Sequence, residues 1–383
     1  MLNRRILRVK AMQSLYAFKK SEESNYQLAL AAIEEAYKEA LMEKGAVFRA
    51  ELAEQQEQSK ELFKAHLAEG KAEQVLGEHP DLLGKAAWQA IVFYRTQAAR
   101  DARNFLHKMI SDTENLFAKY LRVLQLFVTL ADRIRKVQRD REENQHGQGF
   151  ADFTRFFTSP AIEALRNHPD VAKENYHWEP DLVAAWATAL RKDEGFLALV
   201  GSTPEGPEGD RDLLLYILRD FIFEHEAVQA YFEEQDLNWA ENGRVLRSML
   251  SKTLKSIAEE GPLDVLELSK NWDDDREFFQ QLFERTLERE QDWEARITLR
   301  TKRWASDRIA TVDKILLKMA LTEMVAFPSI PVKVTINEYI EVSKSYSTPK
   351  SWQFMNGLLD AISNDLQEEG VIRKSGRGLL DNK

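Results

Sequence analysis

The residues of this sequence best suited to chemistry are cations gathered at its N-terminal end. Residues 1 to 20 hold Arg4, Arg5, Arg8, Lys10, Lys19 and Lys20 without an acid. A guanidinium is a planar fork of N–H donors that fits phosphate oxygens and base edges, so a cluster of them suits anion binding. At the other end, Arg373, Lys374, Arg377 and Lys383 follow Gly370 against Asp381 alone. The formal net charge of the 383 residues is -10, so the acidity lies between two positive ends. Taken by itself, a basic first helix is more often a solvated surface than a binding one.

Other chemistries lack their residues. There is no cysteine, which removes disulfides, thiolate metal sites and cysteine nucleophiles. The seven histidines are scattered, no two at a ligand-like spacing, so no metal is expected. Gly147-Gln148-Gly149 lacks the third glycine and the preceding strand of a dinucleotide-binding turn. The sequence therefore predicts neither catalysis nor a cofactor. No apolar stretch approaches membrane-spanning length, and the first basic residues are not followed by a signal-like apolar run, which predicts a cytoplasmic protein without a membrane partner.

The elements that must position these residues are helices. A hydrophobic content of 44% can bury one large or two ordinary cores. Helical periodicity dominates and strand-like alternation is almost absent, so the predicted class is all-α. A first helix over residues 3 to 20 puts Leu7, Ala11, Leu15 and Phe18 on one face as a core stripe, with Arg5, Arg8, Met12 and Tyr16 on a neighbouring arc. A charged helical region over residues 25 to 75 reads as a hairpin. Gly77, Pro80 and Gly84 mark a turn, helices run from Lys85 to Arg141, and Asn144 to Gly149 reads as a loop. Gly201 to Gly209 is the clearest linker, and Gly261-Pro262 is a shorter stop.

Near the C-terminus, Thr335-Ile336-Asn337-Glu338 reads as a capping box opening a helix. Thr348-Pro349 opens the next, which turns Phe354, Leu358, Leu359 and Ile362 to its buried side. Gly357 inside that helix costs about 1 kcal/mol relative to alanine, which predicts close approach of another backbone. A repeat is also visible: at an offset of 65, Asp210-Arg211-Asp212 falls on Asp275-Arg276-Glu277 and Trp239 on Trp304, with Trp178 marking a fainter third copy. Stacked helix–turn–helix units are expected from it, with Trp178 and Trp239 buried at matching positions.

The runs Ile309 to Met324, Ile330 to Lys344 and Phe354-Met355-Asn356-Gly357 to Asp360 closely resemble the NusB family, and Asn3-Arg4-Arg5 to Tyr16 resembles that family's arginine-rich first helix. The resemblance covers residues 1 to 20 and 275 to 370 and is similar to a long-insert form. It implies NusB-like helical bundles: residues 1–20 as first helix, 21–205 as helical insertion, 206–270 as a unit resembling the core repeat, 271–370 as C-terminal core and 371–383 as basic tail.

The implied activity is binding. With NusE, a small-subunit ribosomal protein, members of the family hold the single-stranded boxA element of ribosomal-RNA leaders within the transcription antitermination complex of RNA polymerase, supporting ribosomal-RNA transcription and maturation. Carried over, the resemblance implies that Arg4, Arg5 and Arg8 face RNA, with Gln13 further along the helix. Phe354, beside Asn356-Gly357, would support the RNA, and Tyr16 and Asp313 would meet the protein partner. The sequence departs from the family's pattern at Ile6, often a third arginine, and at Lys350, where an acid is common and which adds positive charge beside Phe354. The rival reading is a helical protein-interaction scaffold without RNA, which would not require a basic arc.

Overall fold

A computed structural model describes residues 3–67, 72–143, 151–174, 176–202, 206–257, 263–301 and 309–382. No strand occurs among them, so the all-α class holds. None of their helices is long and apolar enough to cross a membrane. The loop expected at 144–149, the stop at Gly261-Pro262 and Trp304 lie outside the described residues. The chain divides into two units: a terminal unit of Asn3–Ile110 with Asp273–Lys383, and an inserted unit of Ser111–Trp272. Residues 21 to 110 thus group with the two ends of the chain.

In chain order the helices are α1 (Arg4–Lys44), α2 (Arg49–Leu67), α3 (Ala72–Glu78), α4 (Leu82–Glu143), α5 (Thr154–Phe157), α6 (Pro160–Asn167), α7 (Pro169–Lys173), α8 (Pro180–Leu190), α9 (Glu194–Ser202), α10 (Pro207–Tyr216), α11 (Glu226–Gln235), α12 (Trp239–Ser256), α13 (Trp272–Glu288), α14 (Glu290–Thr301), α15 (Thr311–Ala326), α16 (Val332–Tyr346) and α17 (Ser351–Glu368). A π-helical stretch, Ile217–Ile222, continues α10.

Helix α1 is 41 residues long, twice the expected first helix, because no glycine or proline interrupts it before Gly45. Gly45 stops it at φ 88°, with its N–H bonded to Leu41 O. Leu7, Ala11, Leu15 and Phe18 form the expected stripe, all buried. The stripe continues through Ala29, Ile33 and Tyr37, which pack with Leu52 and Phe63 of α2 and with Ala87 and Ile91 of α4, so the predicted hairpin forms between α1 and α2. The first turn of α4 needs its glycine: a Cβ on Gly84 would fall 1.8 Å from His79 O.

Helix α15 is the axis of the terminal unit. It packs against α1, α14, α16 and α17, and its apolar residues Ile315, Leu316, Leu317, Met319, Ala320, Leu321 and Met324 are buried all round it. Two local expectations fail beside it. The helix holding Thr335 begins three residues earlier, at Val332, so Thr335 and Glu338 are not a capping box. Thr335 Oγ1 instead donates to Glu323 Oε1 at 2.9 Å, and Glu338 accepts from Arg5. Pro349 likewise stands outside α17, which starts at Ser351 after Lys350. Gly357 is exposed and a Cβ there would meet nothing within 4 Å, so no backbone approaches it among the described residues.

The inserted unit is built around aromatic rings. Trp239 stacks on Phe232 with centroids 4.6 Å apart and on Phe223 at 5.7 Å, and Trp178 meets Phe232 edge-on at 6.3 Å. Both tryptophans are buried, as expected. They share Phe232, however, and so belong to one cluster instead of successive layers. Helices α10 and α13 begin at Pro207 and Trp272, the repeat's offset apart, and Trp304, the counterpart of Trp239, lies outside the described residues.

Candidate nucleic-acid interface

Asn3 sets the start of α1: its side chain accepts from Ile6 N at 3.0 Å, which places Arg4, Arg5 and Arg8 in the first turns of a helix end that carries no acid. The family resemblance implies that all three face RNA. Each is instead met by carboxylates from α13, α15 or α16. Arg4 Nε and Nη2 donate to Asp275 at 3.0 Å and Asp274 at 2.5 Å, with the guanidinium 4.8 Å from the Phe278 ring. Arg5 grips Glu338 through two bonds of 2.9 and 2.8 Å. These contacts leave the Arg4 and Arg5 side chains 34% and 48% exposed, so both still reach solvent.

Arg8 does not. Its side chain is 4% exposed, and its Nε and Nη2 form a paired contact with Glu323 at 2.8 and 2.7 Å. Glu323, fully buried on α15, also accepts from Thr335 and from Tyr339 Oη at 3.2 Å. Burial works against the Arg8 charge, but Glu323 and then Glu338 outweigh it and raise the guanidinium pKa. Burial, followed by the negative charge of Glu323, pushes the Tyr339 hydroxyl well above its usual value. Hydrogen bonds from Arg5 hold Glu338 below the ordinary carboxylate range despite its burial. The expectation that Arg8 faces RNA is therefore corrected: Arg8 is buried between Glu323 of α15 and Glu338 and Tyr339 of α16, and it ties α1 to α15.

Further along α1, Lys19 pairs with Glu22 and Glu290, and Lys20 with Glu23. Much of the basic end is thus neutralised by acids, several of them distant in sequence. What remains is a groove of about 560 Å³ lined by Asn3, Arg4, Arg5, Arg8, Glu338 and, from the C-terminal tail, Arg377. Gln13, Lys350 and Phe354 are not among its lining residues. Lys350 is exposed at the cap of α17, and Phe354, one turn on, is half-buried beside the open face at Gly357.

The two residues expected to meet a protein partner differ. Tyr16 is 39% exposed, with Lys20 Nζ 5.7 Å from its ring. Asp313 is buried in the first turn of α15 and accepts from Ser351 Oγ at 2.7 Å, joining α15 to α17. A carboxylate so enclosed is not a docking surface, and the expectation for Asp313 is corrected on that ground. Sequence reasoning missed Glu323, Glu338 and Arg377. Glu323 had a signal: an acid inside a helix that is apolar all round requires a buried cation. No cluster of metal-ligating side chains occurs among the described residues.

A family model described as the NusB family matches residues 226–364. The transcription antitermination protein NusB of Salinibacter ruber is 43% identical over 27% of this chain and 66% of its own length. That of Chloroherpeton thalassium is 41% identical over 28% of this chain and 50% of its own. That of Geobacter sulfurreducens is 41% identical over 25% of this chain and 69% of its own. The chain thus spans 66% and 50% of the length of the first two relatives. No solved structure matches.

Proposed function

Because this chain belongs to the NusB family, we propose that it is a non-enzymatic transcription antitermination factor that binds boxA-like single-stranded RNA of ribosomal-RNA leaders together with NusE, within the antitermination complex of RNA polymerase. The observation that carries the reading is the groove at the start of α1, where the partly exposed Arg4 and Arg5 meet at a helix N-terminus that carries no acid. Arg5 spends Nε and Nη2 on Glu338, leaving the donors on Nη1 for a phosphate oxygen. The positive end of the helix favours an anion at the same place.

A second contact lies on α17. An exposed glycine inside a helix costs stability, and at Gly357 the fold gains no packing in return. Close passage of an RNA strand past Gly357, with Phe354 as a stacking face and Lys350 as a cation, accounts for it. Tyr16 supplies an exposed aromatic for the NusE side, and Gln13 sits on the same helix.

The scaffold alternative is favoured by one observation, the pairing of Arg4, Arg5 and Arg8 with carboxylates. Salt separates the two readings, because phosphate neutralisation releases counterions and protein docking does so far less. Fluorescence anisotropy of a labelled boxA-like strand, with and without NusE, should show binding that weakens as salt rises. Joint replacement of Arg4 and Arg5 by alanine should lower affinity on the order of tenfold and reduce the salt slope by roughly 0.7 per lost phosphate contact. Unchanged binding in that variant would remove the groove from the interface.

A further inference from the structure

The tail after α17 returns to the groove along a path set by its glycines. Gly370 turns the chain at φ 70°, and Ile372 is buried. Lys374 Nζ then donates to Phe327 O at 3.1 Å and Ser375 N to Pro328 O at 3.0 Å, seating the tail on the connection between α15 and α16. Gly376 takes φ 55°, a left-handed conformation that side chains disfavour. Gly378 lies so close to the connection that a Cβ would fall 2.0 Å from Pro328 O. Between these two glycines, Arg377 is carried to the groove, which it lines with Arg4, Arg5 and Arg8.

The other arginines there are offset: Arg4 by Asp274 and Asp275, Arg5 by Glu338, Arg8 by Glu323. Arg377 is exposed and makes no hydrogen bond or ion pair among the described residues. An anion entering the groove therefore meets one guanidinium with all its donors free, and it comes from a segment beyond residue 364, where the family match ends. We propose that the C-terminal tail is part of the RNA site, and that Arg377, positioned by Gly376 and Gly378, is a phosphate-binding residue of the groove. The proposal rests on the RNA-binding reading above and adds a contact that the matched region does not contain.

The test uses the full chain with NusE and a fluorescein-labelled boxA-like single strand, titrated at several salt concentrations. Arg377→Ala should weaken binding about 3- to 10-fold and lower the salt slope by roughly 0.7, while Arg377→Lys retains most of both. Gly378→Ala removes no charge but forces the tail off Pro328. It should weaken binding comparably and make the tail more open to protease, with the helical circular dichroism unchanged. Wild-type affinity and slope in Arg377→Ala, alongside a loss in the Arg4 and Arg5 double variant, would overturn the tail's role and leave the groove reading intact. A chain that binds the strand no better than a scrambled one, or without any salt dependence, would overturn both.

Discussion

In the terminal unit, helix α15 carries Lys318 and Glu323 into the core against opposite charges and Asp313 against the Ser351 hydroxyl, with one Asp313 oxygen left without a partner among the described residues, whereas the inserted unit buries Trp178 and Trp186 with indole N–H groups that meet no acceptor among them. A buried charge left unpaired costs several kcal/mol, so the partners of α15 must arrive in one register. Arg8 from α1, Thr335 and Tyr339 from α16, and Glu290 and Glu294 from α14 supply them. Aromatic packing is less demanding, since ring area contributes most of the stabilisation and a neutral N–H left without a partner costs about 1–3 kcal/mol, less than a buried charge. In the unit that holds the proposed groove, α1, α14 and α16 are thus tied to α15 by directional bonds between charges, and bonds to Asp275 and Glu338 hold Arg4 and Arg5 in place.

The contrast is most sharply broken at Glu323. Replacement by alanine leaves the buried Arg8 with only the 3.4 Å contact to Glu338 and should cost about 3 kcal/mol in urea unfolding. Replacing the pair together, Arg8→Met with Glu323→Leu, should recover most of that loss. If the single variant is as stable as the double, the network is not what holds α1 on α15.

A smaller effect is expected in the inserted unit. Trp239→Phe removes the donor to Gln229 Oε1, a bond of 2.8 Å, and should cost about 1 kcal/mol by thermal melting. Trp178→Phe removes an N–H that has no acceptor among the described residues and should be close to neutral. Equal losses at the two sites would mean that ring shape alone sets stability there.

The smallest effect is a gain. Gly357→Ala adds a methyl into open space on an exposed helix face and should stabilise the chain by up to about 1 kcal/mol. The same variant should weaken RNA binding if the strand passes close by, and the two readouts, melting and anisotropy, are measured on one sample. Stabilisation with full RNA affinity would leave α17 outside the interface.

Much of the architecture could be read from local pattern. The stripe of Leu7, Ala11, Leu15 and Phe18 is a core face because helical periodicity places it so, whatever it packs against. Uninterrupted helix formers likewise dictate long helices, and α1 ran past its expected end for that reason. Local pattern misled where a residue's partner lay far along the chain. Thr335 and Glu338 have the types and spacing of a capping box, yet their bonds go to Glu323 and Arg5 because the helix begins a turn earlier. Gly357, expected to allow close packing, faces open space, while Gly84 and Gly378 are the glycines pressed against backbone.

For the site the division is the same. The residue types and spacing by themselves determined an all-α chain, a basic first helix and its kinship with a family, because helix periodicity and short motifs are properties of neighbours in sequence. Only the tertiary structure decided which cations remain available. It covers Arg8 with α16, sets Asp274, Asp275 and Glu338 against Arg4 and Arg5, and brings Arg377 back from the far end of the chain. The physical reason is that the charge an anion meets depends on distance and burial in space, and acids hundreds of residues away in sequence can lie within 3 Å of a guanidinium once the helices pack.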